Sequence, residues 1–461
     1  KILDFYFDPL ICFLHYQFNC KLVRVRCLVT GTIMNKLDNQ TEDFASTPIP
    51  SHIRYSGLSI ALVTAVIVFG AGSLSVGAQI GASLGLRDSM IAFLLGGFFL
   101  SMLGYMVGVI GVRSRLSSYV LIKIIFGKNG AVLLNFSLAI ALLGWYGVSM
   151  DVFSASLNQL MLSIFDINVP NYLIEIAGGF LMTYSAIRGF RLLESLSHWI
   201  TPLLIILTAF LGYKGFVSWE NGLSQETLNA NSITITMAAD TVIGVFILGA
   251  VLMSDFSRFA RTTKDVAIAS FLPYLLLSTL AYMAAFFAAA ATNETNIIKI
   301  MNALGFGLAA LFLIFLSSWI VNGINLYSAT LSLSSIYKNA KQWQMALLTG
   351  TLATIAALMN ILEQLTSFLI ILTAIFTPVG GILIADYYLL RKKKDYSIDE
   401  LRHASTLNYR AIVSCVIAVL FSFFPINNTQ LTFGFPALDS LLIAGFLYCI
   451  ITFLVNNIKG V

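Results

Sequence analysis

Residues 57–80 read GLSIALVTAVIVFGAGSLSVGAQI, an apolar run without one charged side chain. A bilayer core about 30 Å thick needs about 20 such residues per helix, because every backbone N–H and C=O must be paired within the segment. Halfway along, Phe69-Gly70-Ala71-Gly72 interrupts the run, and Gly77 lies beyond it. Glycines at mid-membrane depth predict a broken helix, and its freed backbone groups must line a cavity or be buried in protein, since they cannot face lipid.

Eleven further runs of comparable character follow, at about 89–111, 131–160, 171–187, 193–213, 234–254, 266–291, 303–335, 344–361, 364–390, 409–425 and 437–456. The expectation is an all-α integral membrane protein of about twelve transmembrane helices. The sixth run carries Gly244 and then Phe246-Ile247-Leu248-Gly249-Ala250, a second glycine interruption five helices after the first. Five is odd, so the two halves run through the membrane in opposite directions, as in an inverted repeat with broken helices at the midplane. The transporter domain, 57–461, therefore divides into repeat one at about 57–213, repeat two at about 234–390, and two accessory helices at about 409–456.

Composition excludes the common soluble classes. Of 461 residues 58% are hydrophobic and 11% charged, with a mean hydropathy of +0.86; a soluble domain carries about 25% charged residues. The net charge of +5 sits in short loops rather than on one basic and aromatic face, so topology explains it better than nucleic acid does. With the N-terminus inside, nearly every loop cation falls in the cytoplasm, Arg113, Arg115, Arg258, Arg261 and Arg391 to Lys394 among them, while Arg87, Lys214 and Lys299 fall outside. That asymmetry sets both termini on the cytoplasmic side of the cell membrane.

Residues 1–33 mix short apolar and basic pieces, and Met34 opens a polar stretch. Translation is expected to begin at Met34, with 1–33 an upstream extension and 34–56 a cytoplasmic tail. The five cysteines suggest neither a disulfide nor a metal framework. His198 and Glu194 form no catalytic constellation, and no Gly-x-x-x-x-Gly-Lys-Ser/Thr motif is present. An ion gradient is the expected energy source; no enzyme activity, cofactor or metal is expected.

Several motifs converge on one family: Leu143-Gly144-Trp145-Tyr146-Gly147 in span three, Ser254-Asp255-Phe256-Ser257-Arg258-Phe259 after span six, Trp319 to Tyr327 in span eight, and Pro378-Val379-Gly380-Gly381 with Ala385-Asp386-Tyr387 in span ten. From about Ser56 onward the chain resembles the nucleobase–cation symporter family of purine and cytosine permeases. The resemblance implies twelve helices in two inverted sets of five plus two. It also implies cation-coupled import of a nucleobase or similar planar heterocycle, such as a cytosine- or purine-like base, hydroxymethylpyrimidine, allantoin or a thiamine-related compound, by a monomer. The alternative is an amino-acid or other organic-solute symporter of the same broken-helix architecture.

A flat base needs aromatic faces and a few edge hydrogen bonds in a largely apolar pocket. The resemblance implies that Trp145 stacks on the base and that Phe246 packs on its other side. Asn322, which matches a family Asn, is the preferred edge reader, with Asn325 a further candidate, and Gly72 and Gly249 are candidate contacts from the broken spans. The family's polar Gln three positions before the Trp is here Leu142, which cannot hydrogen-bond a pyrimidine edge. For the coupling cation, Na+ or H+, the resemblance offers Gly70, Ser73 and Ser317, but the paired hydroxyls of sodium-coupled relatives map onto Ile320 and Val321. Asp151, less than two turns beyond Trp145, is either a proton carrier or a structural pairing. Asp255 with Arg258, and Asp386 with the basic run after it, read as gating or structural groups at helix ends.

Overall fold

The computed structural model describes residues 48–50, 53–187, 190–220, 233–337, 341–358, 365–423 and 435–459. The expected extension 1–33, Met34 and most of the expected tail lie outside the described residues. Within them the chain is helical, and each of the twelve apolar runs is occupied by a helix or a broken pair.

Span one is the pair Gly57–Val68 and Ala71–Ser83, bent by 59°. Among the described residues, spans two, three, five, seven, eight, ten and twelve contain the seven helices long and apolar enough to cross a membrane unaided: Leu86–Ser114, Lys128–Phe165, Ser195–Glu220, Thr263–Thr292, Leu308–Ser334, Phe368–Leu390 and Pro436–Ile458. Spans four (Asn171–Ile187), six (Ile235–Val251), nine (Gln342–Ala357) and eleven (Tyr409–Phe423) are shorter. Two short helices outside the span pattern, Ser118–Phe126 and Ile297–Ala303, complete the loops before spans three and eight.

Large apolar side chains point outward along these helices, Phe180 and Trp199 at 77% exposure among them. Contiguous apolar surface on this scale is what a lipid-facing protein presents.

The first break has a local cause. Ser56 caps the first half, accepting from Ser59 N–H, and Phe69 closes it with its N–H on Ala65 O. Gly70 then turns to an extended conformation (φ −63°, ψ 145°), and a new helix starts at Ala71 with no side-chain cap. The first N–H groups of that second half have no intrahelical acceptor.

Span six is interrupted too, but beyond both glycines. Ile235–Val251 ends at Leu252 (φ −89°, ψ 11°), and the turn Met253–Ser257 follows. Gly244 instead serves packing: a Cβ there would lie 2.8 Å from Leu369 O and from Thr373 Oγ1 of span ten.

Two apolar cores result. The larger runs through spans one, two, six, seven and ten. A second, around Tyr146, Met150, Phe153, Met182 and Leu326, joins spans three, four and eight with Ala353 and Ala357 of span nine. Spans three and eight pair more extensively than any other two elements, and like the two broken spans they stand five positions apart.

Candidate functional site

Within the larger core, a cavity of about 60 Å³ opens between spans one, three, six, seven and eight. That is room for several waters, which a single small ring would displace. Its walls are mostly apolar, and among the described residues no Asp, Glu, Lys, Arg or His lines it.

Seven of the residues singled out from the sequence meet here: Gly70, Gly72, Ser73, Trp145, Phe246, Gly249 and Asn325. Trp145 is half-buried and turns its ring edge-on to Phe368, with centroids 5.7 Å apart. Gly72 lies beside it, where a Cβ would make an ordinary 3.8 Å contact with Trp145 Cζ3. Phe246, 3% exposed, is held by Tyr274 and Tyr282 at centroid distances of 5.8 and 6.3 Å. Two aromatic residues of the larger core, one from span three and one from span six, thus face one space, and both are fixed by neighbouring rings.

Span eight presents one face to the cavity: Ser318, Val321, Ile324, Asn325 and Ser328, spaced as a helical stripe. Asn325 Nδ2 has no hydrogen-bond partner, and Leu142 contributes only apolar surface. Asn322 falls off the stripe. It is fully buried away from the cavity lining, and neither its Oδ1 nor its Nδ2 is bonded.

The residues expected for a cation are engaged locally. Ser73 Oγ donates to Ile67 O at 2.9 Å, the same carbonyl that receives Gly70 N–H at 3.1 Å. Ser317 Oγ donates to Ile314 O at 2.9 Å and does not reach the cavity lining. Ile320 and Val321 are buried apolar side chains beside them. Asp151 also lies outside the lining. One turn further along span three, Ser154 Oγ stands 3.1 Å from both Asp151 O and Glu175 Oε1, and Glu175 of span four is buried.

Beneath the cavity the tail of span six carries Asp255 and Arg258, both fully buried. Asp255 Oδ1 accepts from Ser118 N–H at 2.8 Å, and Arg258 Nε donates to Asp255 O at 3.1 Å. Tyr119, on the short helix before span three, donates to the carbonyl of the lining residue Ser328 at 2.7 Å. Asp386 stands apart from this group. Its two oxygens accept from the hydroxyls of Tyr396 and Tyr448, whereas Arg391 of the basic run makes a two-pronged pair with Glu400 at 2.7 and 2.8 Å. For Glu400 burial opposes ionisation, yet the Arg391 hydrogen bond, the Ser397 N–H and the charges of Arg391 and Lys394 together outweigh it and hold the carboxyl below its ordinary range.

Sequence reasoning passed over Ser149, Tyr274 and Ser328, all of which line the cavity. Signals for them existed: Ser149 follows Trp145 by one turn, Ser328 continues the stripe of Asn325, and Tyr274 follows Pro273, a helix-distorting residue inside span seven.

This architecture is shared with solved membrane transporters. It superposes on Mhp1, a nucleobase-cation-symport-1 family transporter, in a closed conformation with bromovinylhydantoin bound, with a TM-score of 0.76 at 18% identity over 90% of this chain and 95% of that one. A Na+-coupled sialic acid symporter in its substrate-bound outward-open state matches with a TM-score of 0.62 at 13% identity, covering 87% and 90% of the two chains. At those identities the likeness is one of fold.

Family membership rests on sequence. Residues 58–447 match the family described as permease for cytosine/purines, uracil, thiamine, allantoin, and the chain belongs to it. Cytosine permease of Escherichia coli strain K12 is 26% identical over 383 residues, 83% of this chain and 89% of that protein. The protein is a multi-pass membrane permease of the nucleobase-transporter type and not an enzyme.

Proposed function

We propose that this permease imports an uncharged planar heterocycle, a nucleobase or close analogue, across the cell membrane by cation-coupled alternating access, as a monomer with both termini cytoplasmic. The observation that carries the reading is the composition of the central cavity: Trp145 and Phe246 as aromatic walls, Asn325 with an unpartnered amide, and no ionisable lining side chain among the described residues. An aromatic-walled site of this kind suits a flat ring. An amino acid would bring an ammonium group that no lining carboxylate meets, which disfavours the alternative cargo.

For the coupling cation the residues favour H+ over Na+. Ser73 and Ser317 already donate to carbonyls of their own helices, and apolar Ile320 and Val321 flank them; a hard cation is held by oxygen ligands. Asp151 is the carboxylate nearest in sequence to Trp145 that can carry a proton within the membrane, and Ser154 Oγ lies between its backbone carbonyl and Glu175 Oε1.

The test is uptake of radiolabelled cytosine, adenine, uracil and allantoin into cells expressing the chain, with Na+ and pH varied separately. Accumulation of at least one ring, dependent on pH and indifferent to Na+, is expected. A strict Na+ requirement would return the coupling to Gly70, Ser73 and Ser317, and uptake of none of the rings would refute the cargo assignment. Asp151→Asn is expected to remove the pH dependence while base binding persists.

A further inference from the structure

Span seven changes its winding at the level of the cavity. Pro273 has no N–H to offer the carbonyl four residues earlier, and over Leu272–Leu277 the helix widens into a π-turn instead of continuing as an α-helix. Tyr274 sits in that turn and is fixed on three sides. Its carbonyl accepts from Ser278 Oγ at 2.6 Å and approaches Gly97 of span two so closely that a Cβ there would lie 2.6 Å from it. Its ring passes Gly104 of span two, where a Cβ would stand 3.3 Å from the ring edge, and packs against Phe246.

The hydroxyl is the unusual part. Tyr274 is 2% exposed and lines the cavity, and no hydrogen bond of its Oη is seen among the described residues. A hydroxyl at a largely apolar cavity wall without a bond to the protein is open to a partner inside that cavity. Gly249 of span six makes its position possible: a Cβ there would lie 2.6 Å from Oη, while the next nearest atom, Cζ, would be 3.5 Å away at ordinary contact distance.

We propose that Tyr274 reads the polar edge of the transported ring, donating its O–H to a carbonyl oxygen or ring nitrogen of the substrate, and that Gly249 is the socket holding that hydroxyl in place. Asn325 Nδ2, likewise unpartnered, supplies a second donor from span eight. Two donors and no acidic side chain select a ring with exposed acceptor atoms rather than a purely apolar or cationic one. This inference rests on the reading of the cavity as the base site, and it gives Gly249 an indirect role in place of direct substrate contact.

The test uses the full-length protein and the ring that wild type accumulates best among cytosine, adenine, uracil and allantoin. Equilibrium binding is measured for Tyr274→Phe, Gly249→Ala, the double variant and Trp145→Ala. Loss of one uncharged hydrogen bond corresponds to a fall in affinity of about threefold to tenfold, so Tyr274→Phe is expected to weaken binding at least threefold. Its substrate-free thermal stability should be unchanged or higher, because the variant breaks no hydrogen bond within the protein, and a merely structural role would not separate the two readouts. Gly249→Ala should weaken binding as much or more. The double variant should bind no worse than Tyr274→Phe, because the atom that the added methyl meets is gone.

A fall below threefold for Tyr274→Phe, or a Gly249→Ala penalty undiminished in the double variant, overturns the proposal. If Trp145→Ala loses binding while Tyr274→Phe keeps it, the base site stands and Tyr274 is not its reader. If both variants keep it, the base site fails as well.

Discussion

Spans one and six carry similar glycine signatures and are interrupted in different ways. Span one bends by 59° at Gly70 and turns the start of its second half toward the cavity. Span six stays helical past Gly244 and Gly249, pauses at Leu252, and continues into a buried turn that carries Asp255 and Arg258. The difference lies in what stands opposite each glycine. The nearest atom to a Cβ on Gly70 would be its own helix's Ile67 O at 3.1 Å, whereas Gly244 faces span ten backbone and Gly249 faces Tyr274 Oη. One glycine therefore marks a change of backbone direction, and the other two make room for neighbours. Span one supplies backbone to the site; span six supplies an aromatic wall above a buried charged floor.

Three substitutions sharpen or break that contrast. The largest effect is expected at the floor: Asp255→Asn removes the carboxylate charge beside fully buried Arg258. Stripping one partner from a buried pair costs about 3–5 kcal/mol, so the variant should unfold at markedly lower temperature or fail to accumulate in the membrane. Wild-type thermal stability would show that the pair does not hold span six in place.

Gly244→Ala comes next. Its methyl would meet a backbone carbonyl that cannot swing aside, and overpacking of this kind costs about 1–3 kcal/mol. A clear drop in thermal midpoint is expected, measured on detergent-purified protein.

Gly70→Ala should be the mildest for stability. The φ of −63° is open to any residue, and the 3.1 Å contact with Ile67 O needs only a small local shift. A change under about 1 kcal/mol is expected. If Gly70→Ala destabilises more than Gly244→Ala, the roles of the two glycines are reversed and the comparison fails.

Much of the architecture was legible because the membrane restricts the choices. Helix positions followed from apolar length alone, and the break in span one from Phe69-Gly70-Ala71-Gly72, where the backbone does change direction. The site of the break in span six was not legible, because glycine spacing cannot say whether a missing Cβ frees the backbone or admits a neighbour such as Leu369. In span eight, polar residues were visible as a group, but only the facing helix separates Asn325, on the lining stripe, from Asn322, buried off it. Tyr274 was hidden for a different reason: aromatic residues are abundant in this chain, and its place depends on a π-turn whose only trace in the sequence is Pro273. The short helix Ser118–Phe126, read as loop, seats the floor through Ser118 and Tyr119, contacts that join residues more than a hundred positions apart.

The central claim is that a neutral flat ring lies between Trp145 and Phe246. An experimental structure of the protein with its best-transported base bound tests it most directly. The account predicts density for the ring stacked on Trp145, with Phe246 on its opposite side and a polar edge toward Asn325. A base bound outside this cavity, or bound within it without contact to Trp145, would contradict the account.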